Sequence, residues 1–207
     1  MPYFHKTPGW LMKWLPSMTW HRQDSPKTLF LTFDDGPIPE VTPYVLDVLQ
    51  RYHAKATFFC VGDNIRKHPQ VFQEVLNAGH AIGNHTFHHL NGWNTPTNKY
   101  LEDLKACEEI IIDQGATTRF FRPPHGRIRR DQRQSIDQQY EIIMWSHLSG
   151  DFDPGLNTHQ SIRAMKAASH GSIMVFHDSI KAEMNLKKVL PVVMEYFSNQ
   201  GFEFKTL

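Results

Sequence analysis

The feature that most constrains the fold of this chain is a regular alternation of short apolar runs with amphipathic helical patterns. Residues 29–33 read as a strand, and Thr42-Pro43 opens a helix in which Val45, Leu46, Leu49 and Tyr52 share a face. A strand over 57–61 follows, then a helix marked by Val71, Phe72, Val75 and Leu76 that ends at Gly79, then a short strand beginning at Ala81-Ile82. Tyr100, Leu101, Leu104, Cys107 and Ile111 form the next helical stripe, closed by Gly115, and 119–121 returns to the sheet. Residues 142–145 and 173–176 are strands around a helix over 158–168, 186–197 is the last long helix, and 202–204 adds a seventh strand. Strands separated by helices pair in parallel through right-handed crossovers, so all strand C-termini open on one side.

A length of 207 residues suits one large single domain or a domain with an appendage. The expected division is an N-terminal capping segment, 1–24, and a main domain, 25–207. In the segment, Thr7 and Pro8 predict a cap and first helical residue, Pro16 a stop, and Trp10 and Trp14 a shared face. A short helix capping the core is the expectation, with an interfacial membrane anchor as the alternative. The apolar stretch 10–20 is broken by Lys13 and Pro16, too short to span a bilayer, and lacks a small-residue cleavage site. No transmembrane segment or signal peptide is recognisable, and cytoplasmic and envelope-associated locations both stay open. Lys and Arg number 22 against 21 Asp and Glu, a formal charge of +1, which removes the long-range field of a general nucleic-acid binder. Cys60 and Cys107 stand in apolar contexts and are expected as buried free thiols, a single bridge being the alternative. Nothing in the sequence sets the oligomeric state.

Side sites of parallel β/α folds sit at the strand C-termini, and polar residues gather there: Asp34-Asp35, His85 to His89, Arg122, Asp151 and His177-Asp178. Each group alone has a structural explanation. Asp-Asp-Gly-Pro is a common turn, His85-Thr-Phe-His-His can be a solvated run, Arg122-Pro-Pro-His-Gly a rigid loop, and His177-Asp178 a hydrogen-bonded pair. Five segments delivering carboxylates, imidazoles and a guanidinium to one mouth are harder to explain singly.

In order, Thr32-Phe-Asp-Asp-Gly-Pro, His85-Thr-Phe-His-His, Arg122-Pro-Pro-His-Gly, Asp151-Phe and Ile173-Met-Val-Phe-His-Asp resemble the motifs of the NodB-homology polysaccharide deacetylases, carbohydrate esterase family 4. The matches cover 32–178. The resemblance implies an α/β fold, a distorted and incomplete parallel β/α barrel of about seven strands, and metal-dependent removal of acetyl groups from sugars.

By that resemblance Asp35, His85 and His89 hold one divalent ion, zinc first, with cobalt or another divalent ion as alternatives. A carboxylate and two imidazoles suit such an ion and leave positions open for water and substrate. His88, three residues after His85, is the competing ligand. Thr86 steadies the loop. Asp34 is the implied general base, kept ionised by Arg122, and His177 the general acid, oriented and raised in pKa by Asp151. The backbone N–H of His125 is the implied oxyanion donor, and Phe152 and Val175 line the acetyl pocket.

Two positions depart from the usual pattern: His125 stands where family members carry Tyr, and Phe152 where they carry Trp. Trp93, Tyr100 and Phe87 are the aromatics that could stack on sugar in compensation, the core being the alternative place for each. Arg119, Arg122, Arg127, Arg129, Arg130 and Arg133 crowd the same mouth, either as a solvated loop and helix face or to attract an anionic glycan or lipid-linked sugar. The expected partner is an acetylated glycan such as peptidoglycan or chitin oligomers, with N-acetyl removal favoured. An O-acetyl esterase and a noncatalytic glycan-binding relative are the alternatives; a metallophosphoesterase needs further ligands that cannot be placed.

Overall fold

The computed structural model describes residues 3–23 and 26–207. The boundary expected between 24 and 25 therefore lies outside the described residues. The first full strand, β1 (Thr28–Asp34), is buried along its whole length because it lies at the centre of the sheet. It pairs in parallel with β2 (Ala56–Cys60) on one side. Beyond β2 come β3 (Ala81–Asn84), β4 (Phe120–Phe121) and β5 (Glu141–Ile142). After β6 (His147–Leu148) the chain forms β7 (Ile173–His177), which pairs with the other side of β1 and carries β6 outside it. A last short strand, β8 (Glu203–Phe204), pairs in parallel with the start of β1. Every ladder is parallel, and the sheet curls into an open half-barrel of the expected kind.

The expected strand over 142–145 is broken. Ile143 keeps a hydrogen bond to Phe121 and a bridge to Thr19, residues 144–146 leave the sheet, and the chain re-enters it as β6, which sequence reading did not anticipate. Two-residue strands carry too short a pattern for period-2 reading.

Strand alternation explains the two faces of the sheet. Leu29, Leu31 and Phe33 of β1 join Phe58 and Phe176 in the core beneath the helices, where the Phe33 ring stacks on Phe58 at 5.1 Å and Phe176 at 5.9 Å. Full burial of each such ring contributes roughly 1.5–3 kcal/mol. The opposite parity faces the barrel interior. There Phe30 and Ile173 fill the N-terminal end with apolar side chains, while Thr32 and Asp34 make the C-terminal end polar, with the Phe59 ring level with Asp34.

The helices that cover the sheet include α2 (Thr42–Arg51), α4 (Pro69–Asn77), α5 (Thr97–Asp113), α7 (Thr158–Met165) and α8 (Glu183–Ser198). Two short helices escaped the sequence reading, α3 (Gly62–Lys67) and α6 (Arg130–Ile136), both under two turns. The Thr-Pro cap reading needs correction at both places. Thr42 is the first residue of α2, and its hydroxyl donates to the Asp178 carboxylate and accepts from the Ile38 N–H. Thr7 precedes α1 (Gly9–Trp14), but its hydroxyl donates to the Trp145 carbonyl. In each case a tertiary acceptor outcompetes the helix N-terminus for the same oxygen.

The open half-barrel has two edges, β5 and β6, and the N-terminal segment covers both. The Leu148 N–H donates to the His5 carbonyl, Thr7 N–H to Ser146, Thr19 N–H to Ile142, and Met144 N–H back to Thr19. Edge backbone groups that would otherwise template another chain are thereby paired. Leu11, Met12 and Leu15 pack against the second core around Tyr100, Phe121 and Tyr140. Trp10 and Trp14, expected to share a face, both point outward at 66% and 73% exposure. No helix among the described residues is long and apolar enough to cross a membrane. Cys60 and Cys107 are buried and free, and burial pushes both thiols up in pKa.

Candidate active site

Asp34 is the last residue of β1 and the register partner of His177 at the end of β7, so β-pairing alone sets these two side by side. The next residue, Asp35, leaves the strand with a left-handed φ of 81°. The turn is held from behind: the Gly36 N–H and the Thr42 hydroxyl both donate to buried Asp178. A Cβ at Gly36 would collide with that carboxylate, so only glycine fits. Burial, its largest cause, pushes the Asp178 carboxyl up to about 8.

After β3 the loop carries two more left-handed non-glycine residues, Thr86 at φ 62° and His89 at φ 56°. Such conformations cost about 1–3 kcal/mol each and persist where surroundings over-determine them. Here the Thr86 N–H donates to Asn84 Oδ1, the Thr86 hydroxyl accepts from the Leu90 N–H, and Asp103 of α5 accepts from the N–H groups of Phe87 and His88. Asp103 also takes the His88 ring through Nδ1 at 2.5 Å, which turns that imidazole away from the mouth. His89 instead places Nε2 3.2 Å from Asp35 Oδ1, with His85 Nε2 at 3.8 Å.

Asp35, His85 and His89 each offer one ligand atom, all within 4.8 Å of one another. The donor set fits a divalent ion. His85 Nδ1 bonds the Arg122 carbonyl at 2.7 Å, which leaves the Nε2 lone pair facing Asp35. Burial holds the His85 imidazole well below its ordinary pKa, hence neutral as a ligand must be. Burial works to raise Asp35, but the hydrogen bond to His89 and the nearby imidazoles outweigh it and hold the carboxyl well below the usual range.

Asp34 has a different partner. Arg122 is fully buried and donates Nη1 to Asp34 Oδ1 at 2.6 Å and to Thr32 Oγ1 at 2.8 Å. Its other donors go to the Ile143 and Met144 carbonyls, and its plane lies 4.1 Å from the Phe59 ring centroid. Arg122 does not by itself keep Asp34 in the ordinary carboxylate range. Burial raises the Asp34 pKa and Arg122 only restrains the rise, which makes this carboxylate a stronger base than a solvated one.

On the other wall, Asp151 accepts from His177 Nδ1 at 2.7 Å and from the His177 N–H at 2.9 Å. Burial alone would lower the imidazole pKa; the Asp151 charge and hydrogen bond exceed it and push His177 up to about 9. Arg122 and Asp151 lie behind Asp34 and His177 rather than on the cavity surface, so both act through the residues they hold.

The cavity measures about 710 Å³. Asp34, Asp35, His85, His89, His125, Phe152 and His177 line it as the sequence led one to expect. Val175 does not. It is buried in β7 two residues below His177, and its register partner Leu148 lines the wall instead. His125 has φ 59° and packs its ring 4.6 Å from His89. Of the proposed stacking aromatics, Tyr100 and Phe87 pack in the cores and only Trp93 is exposed.

Tyr3 and Lys181 are among the lining residues that sequence reading missed. Tyr3 donates to Asp153 Oδ2 at 3.2 Å, and its ring meets Phe152 at 5.2 Å. Lys181 stands over the other side of Phe152, 5.4 Å from the ring centroid. No periodicity or spacing signals a contact between residues 3 and 153; the alignment of Lys181 four residues after His177 was the only available hint.

This arrangement, a curled parallel half-barrel with an Asp-His-His cluster and two opposed acid–base pairs at its mouth, defines a class. The chain belongs to the polysaccharide deacetylase family, the NodB-homology group of carbohydrate esterases: the family model described as polysaccharide deacetylase matches residues 21–141. A peptidoglycan-N-acetylglucosamine deacetylase of Bacillus cereus is 31% identical over 92% of this chain and 91% of its own length. A chitooligosaccharide deacetylase of Azorhizobium caulinodans is 31% identical over 73% of each. Among solved structures, a peptidoglycan N-acetylglucosamine deacetylase in complex with 4-naphthalen-1-yl-N-oxidanyl-benzamide superposes with a TM-score of 0.86 at 30% identity, covering 97% of this chain and 95% of its own.

Proposed function

We propose that this chain is a divalent-metal-dependent N-deacetylase acting on acetylated amino sugars of a glycan. The observation that carries the reading is the division of labour between neighbouring carboxylates: Asp35 faces two imidazoles while Asp34 faces a buried guanidinium, across from a histidine paired with buried Asp151. A bound ion supplies Lewis acidity, which polarises the acetyl carbonyl and makes water a better nucleophile near neutral pH. A hydroxamate such as the one that the similar deacetylase binds is a chelating group, which agrees with a metal in that fold.

In this reading Asp35, His85 and His89 hold the ion and Thr86 braces their loop. Asp34 accepts a proton from water as the water oxygen bonds to the acetyl carbon. The His125 N–H stabilises the developing oxyanion. His177, protonated through Asp151, gives its proton to the sugar nitrogen as the carbon–nitrogen bond breaks, releasing acetate and free amine. An amine leaves poorly without that proton, so a raised histidine opposite the base is what amide cleavage requires. Phe152, flanked by Tyr3, walls the place of the acetyl methyl.

Acetate release decides the matter. Metal-loaded protein should release acetate from N-acetylated chito-oligosaccharides or peptidoglycan fragments, lose this on chelation, and recover it on adding a divalent ion. Release from acetylated xylan alone would shift the reading to an O-acetyl esterase, and no release from any of them would leave a glycan-binding relative.

A further inference from the structure

Beside the metal pocket lies a second cavity, about 790 Å³, whose chemistry deacetylation does not use. Its floor is aliphatic and aromatic, with Leu11 and Leu15 of the N-terminal segment opposite Ile128 and Met144. Its rim carries Arg127, Arg129, Arg130 and Arg133. Among the described residues that line it there is no carboxylate or carboxamide. The single hydroxyl, on Thr7, is already donated to Trp145. The cavity runs into the metal pocket, because His125, Gly126, Arg127, Trp145 and Leu148 border both.

This lining discriminates between occupants. A glycan strand brings hydroxyl donors that need acceptors, and a wall without side-chain carboxylates or amides would bury them unpaired at about 1–3 kcal/mol each. A hydrocarbon chain needs no acceptor. Arginines at the rim of an apolar trough suit a phosphate at the chain's end. Asp131 and Asp137 balance part of the rim through Arg129 and Arg133, yet Arg133 Nε is buried without a hydrogen-bond partner and the Arg130 side chain is exposed. At the outer side, Phe4, Trp10 and Trp14 are 65%, 66% and 73% exposed, large apolar rings placed as at a lipid–water interface.

We propose that this cleft receives the hydrocarbon chain of a phosphate-linked lipid carrier, its arginines taking the phosphate while the attached acetylated sugar reaches the metal pocket across the shared edge at His125–Arg127. The proposal rests on the deacetylase reading for the sugar end, but the lipid end can be measured without turnover.

The test is a titration of the full chain with farnesyl phosphate, followed by tryptophan emission, since Trp14, Trp20, Trp93 and Trp145 line the cleft. Farnesol, inorganic phosphate and chitotetraose serve as comparison ligands. Farnesyl phosphate should bind saturably and at least tenfold tighter than farnesol, inorganic phosphate should leave the emission unchanged, and any response to chitotetraose, which reaches Trp145 from the neighbouring pocket, should survive Leu11→Glu. Arg130→Glu with Arg133→Glu should weaken farnesyl phosphate tenfold or more and spare farnesol; Leu11→Glu should weaken both. Farnesyl phosphate binding no tighter than farnesol, or chitotetraose binding that Leu11→Glu abolishes, overturns the proposal. Unchanged melting temperatures guard against misfolded variants, and Arg130→Glu alone, at an exposed position, keeps the test decisive if the double variant fails to fold. If farnesyl phosphate binds as expected but no substrate releases acetate, the deacetylase reading fails and the lipid site stands. If chito-oligosaccharides are deacetylated but farnesyl phosphate does not bind, the reverse holds.

Discussion

The two cavities at the mouth, about 710 and 790 Å³, share a wall and are built in opposite ways. The pocket around Asp34 and Asp35 is made of strand ends, and three of its ionisable groups are held by buried partners: Asp34 by Arg122, His177 by Asp151, His85 by the Arg122 carbonyl. The neighbouring cleft is made of the N-terminal segment and the loop before α6, and its walls carry apolar side chains with few hydrogen bonds between them. Pre-organised polarity suits chemistry, where a small displacement costs much in rate. An adaptable apolar trough suits binding. Substitutions should therefore have large, separable effects in the first and graded effects in the second.

The largest effects belong to the ligand set. Asp35→Ala, His85→Ala and His89→Ala should each lose stoichiometric metal and lower acetate release by roughly a thousandfold or more, the several kcal/mol that a Lewis acid contributes. His88→Ala should keep both, because Asp103 already turns that ring outward. Metal analysis beside an activity assay checks this, and retained metal in His89→Ala would break the assignment.

Next comes the base. Asp34→Asn should retain the ion and lose about 10²- to 10⁴-fold in turnover, the scale of positioned acid–base groups. Arg122→Leu leaves the Asp34 carboxylate buried and unpaired, and should destabilise the fold by about 3–5 kcal/mol, read as a fall in melting temperature.

The acid has a pH signature. In the proposed mechanism turnover needs His177 protonated, so kcat/KM should fall as pH rises through about 9. Asp151→Asn removes the raising partner while burial still depresses the imidazole, so the alkaline limb should move to lower pH. The linked stability has the same sign: a folded pKa raised above 6.5 stabilises fully below 6.5 and the contribution is lost as pH rises through about 9. His177→Ala should harm N-acetyl sugar turnover far more than hydrolysis of an aryl acetate, whose leaving group departs unprotonated. Equal loss on both would recast His177 as a binding residue.

The smallest change is Tyr3→Phe. It removes one partly buried hydrogen bond to Asp153, worth about 1 kcal/mol, so KM should rise by roughly fivefold with kcat nearly unchanged. A large fall in kcat instead would show that the N-terminal segment shares in the chemistry rather than in the wall.

Most of the parallel framework was legible, because β1, β2 and β7 carry long apolar runs and α2, α4, α5 and α8 carry clear stripes. What failed was short or borrowed its stabilisation from elsewhere. β6 spans two residues and α3 six. Thr7 and Thr42 look like caps in sequence but spend their hydroxyls on distant acceptors. Val175 has the parity to face the interior but sits too deep in β7 to reach the cavity. Motif residues for the site were recognisable because their spacing follows strand ends, whereas Tyr3 and Lys181 reach it only through chain crossings that no local pattern records.

The sequence by itself determined which chemistry is available: adjacent carboxylates after a buried strand, three imidazoles in one short loop, and strand parity that points Asp34 into the barrel. These are local properties, set by backbone period and residue type. Tertiary structure alone decided the protonation states, because burial and partners from remote segments raise Asp34 and His177 and depress His85. It also decided that the first residues of the chain close the barrel seam and build the apolar cleft, since an unpaired edge exists only once the sheet has curled and stopped short of closure.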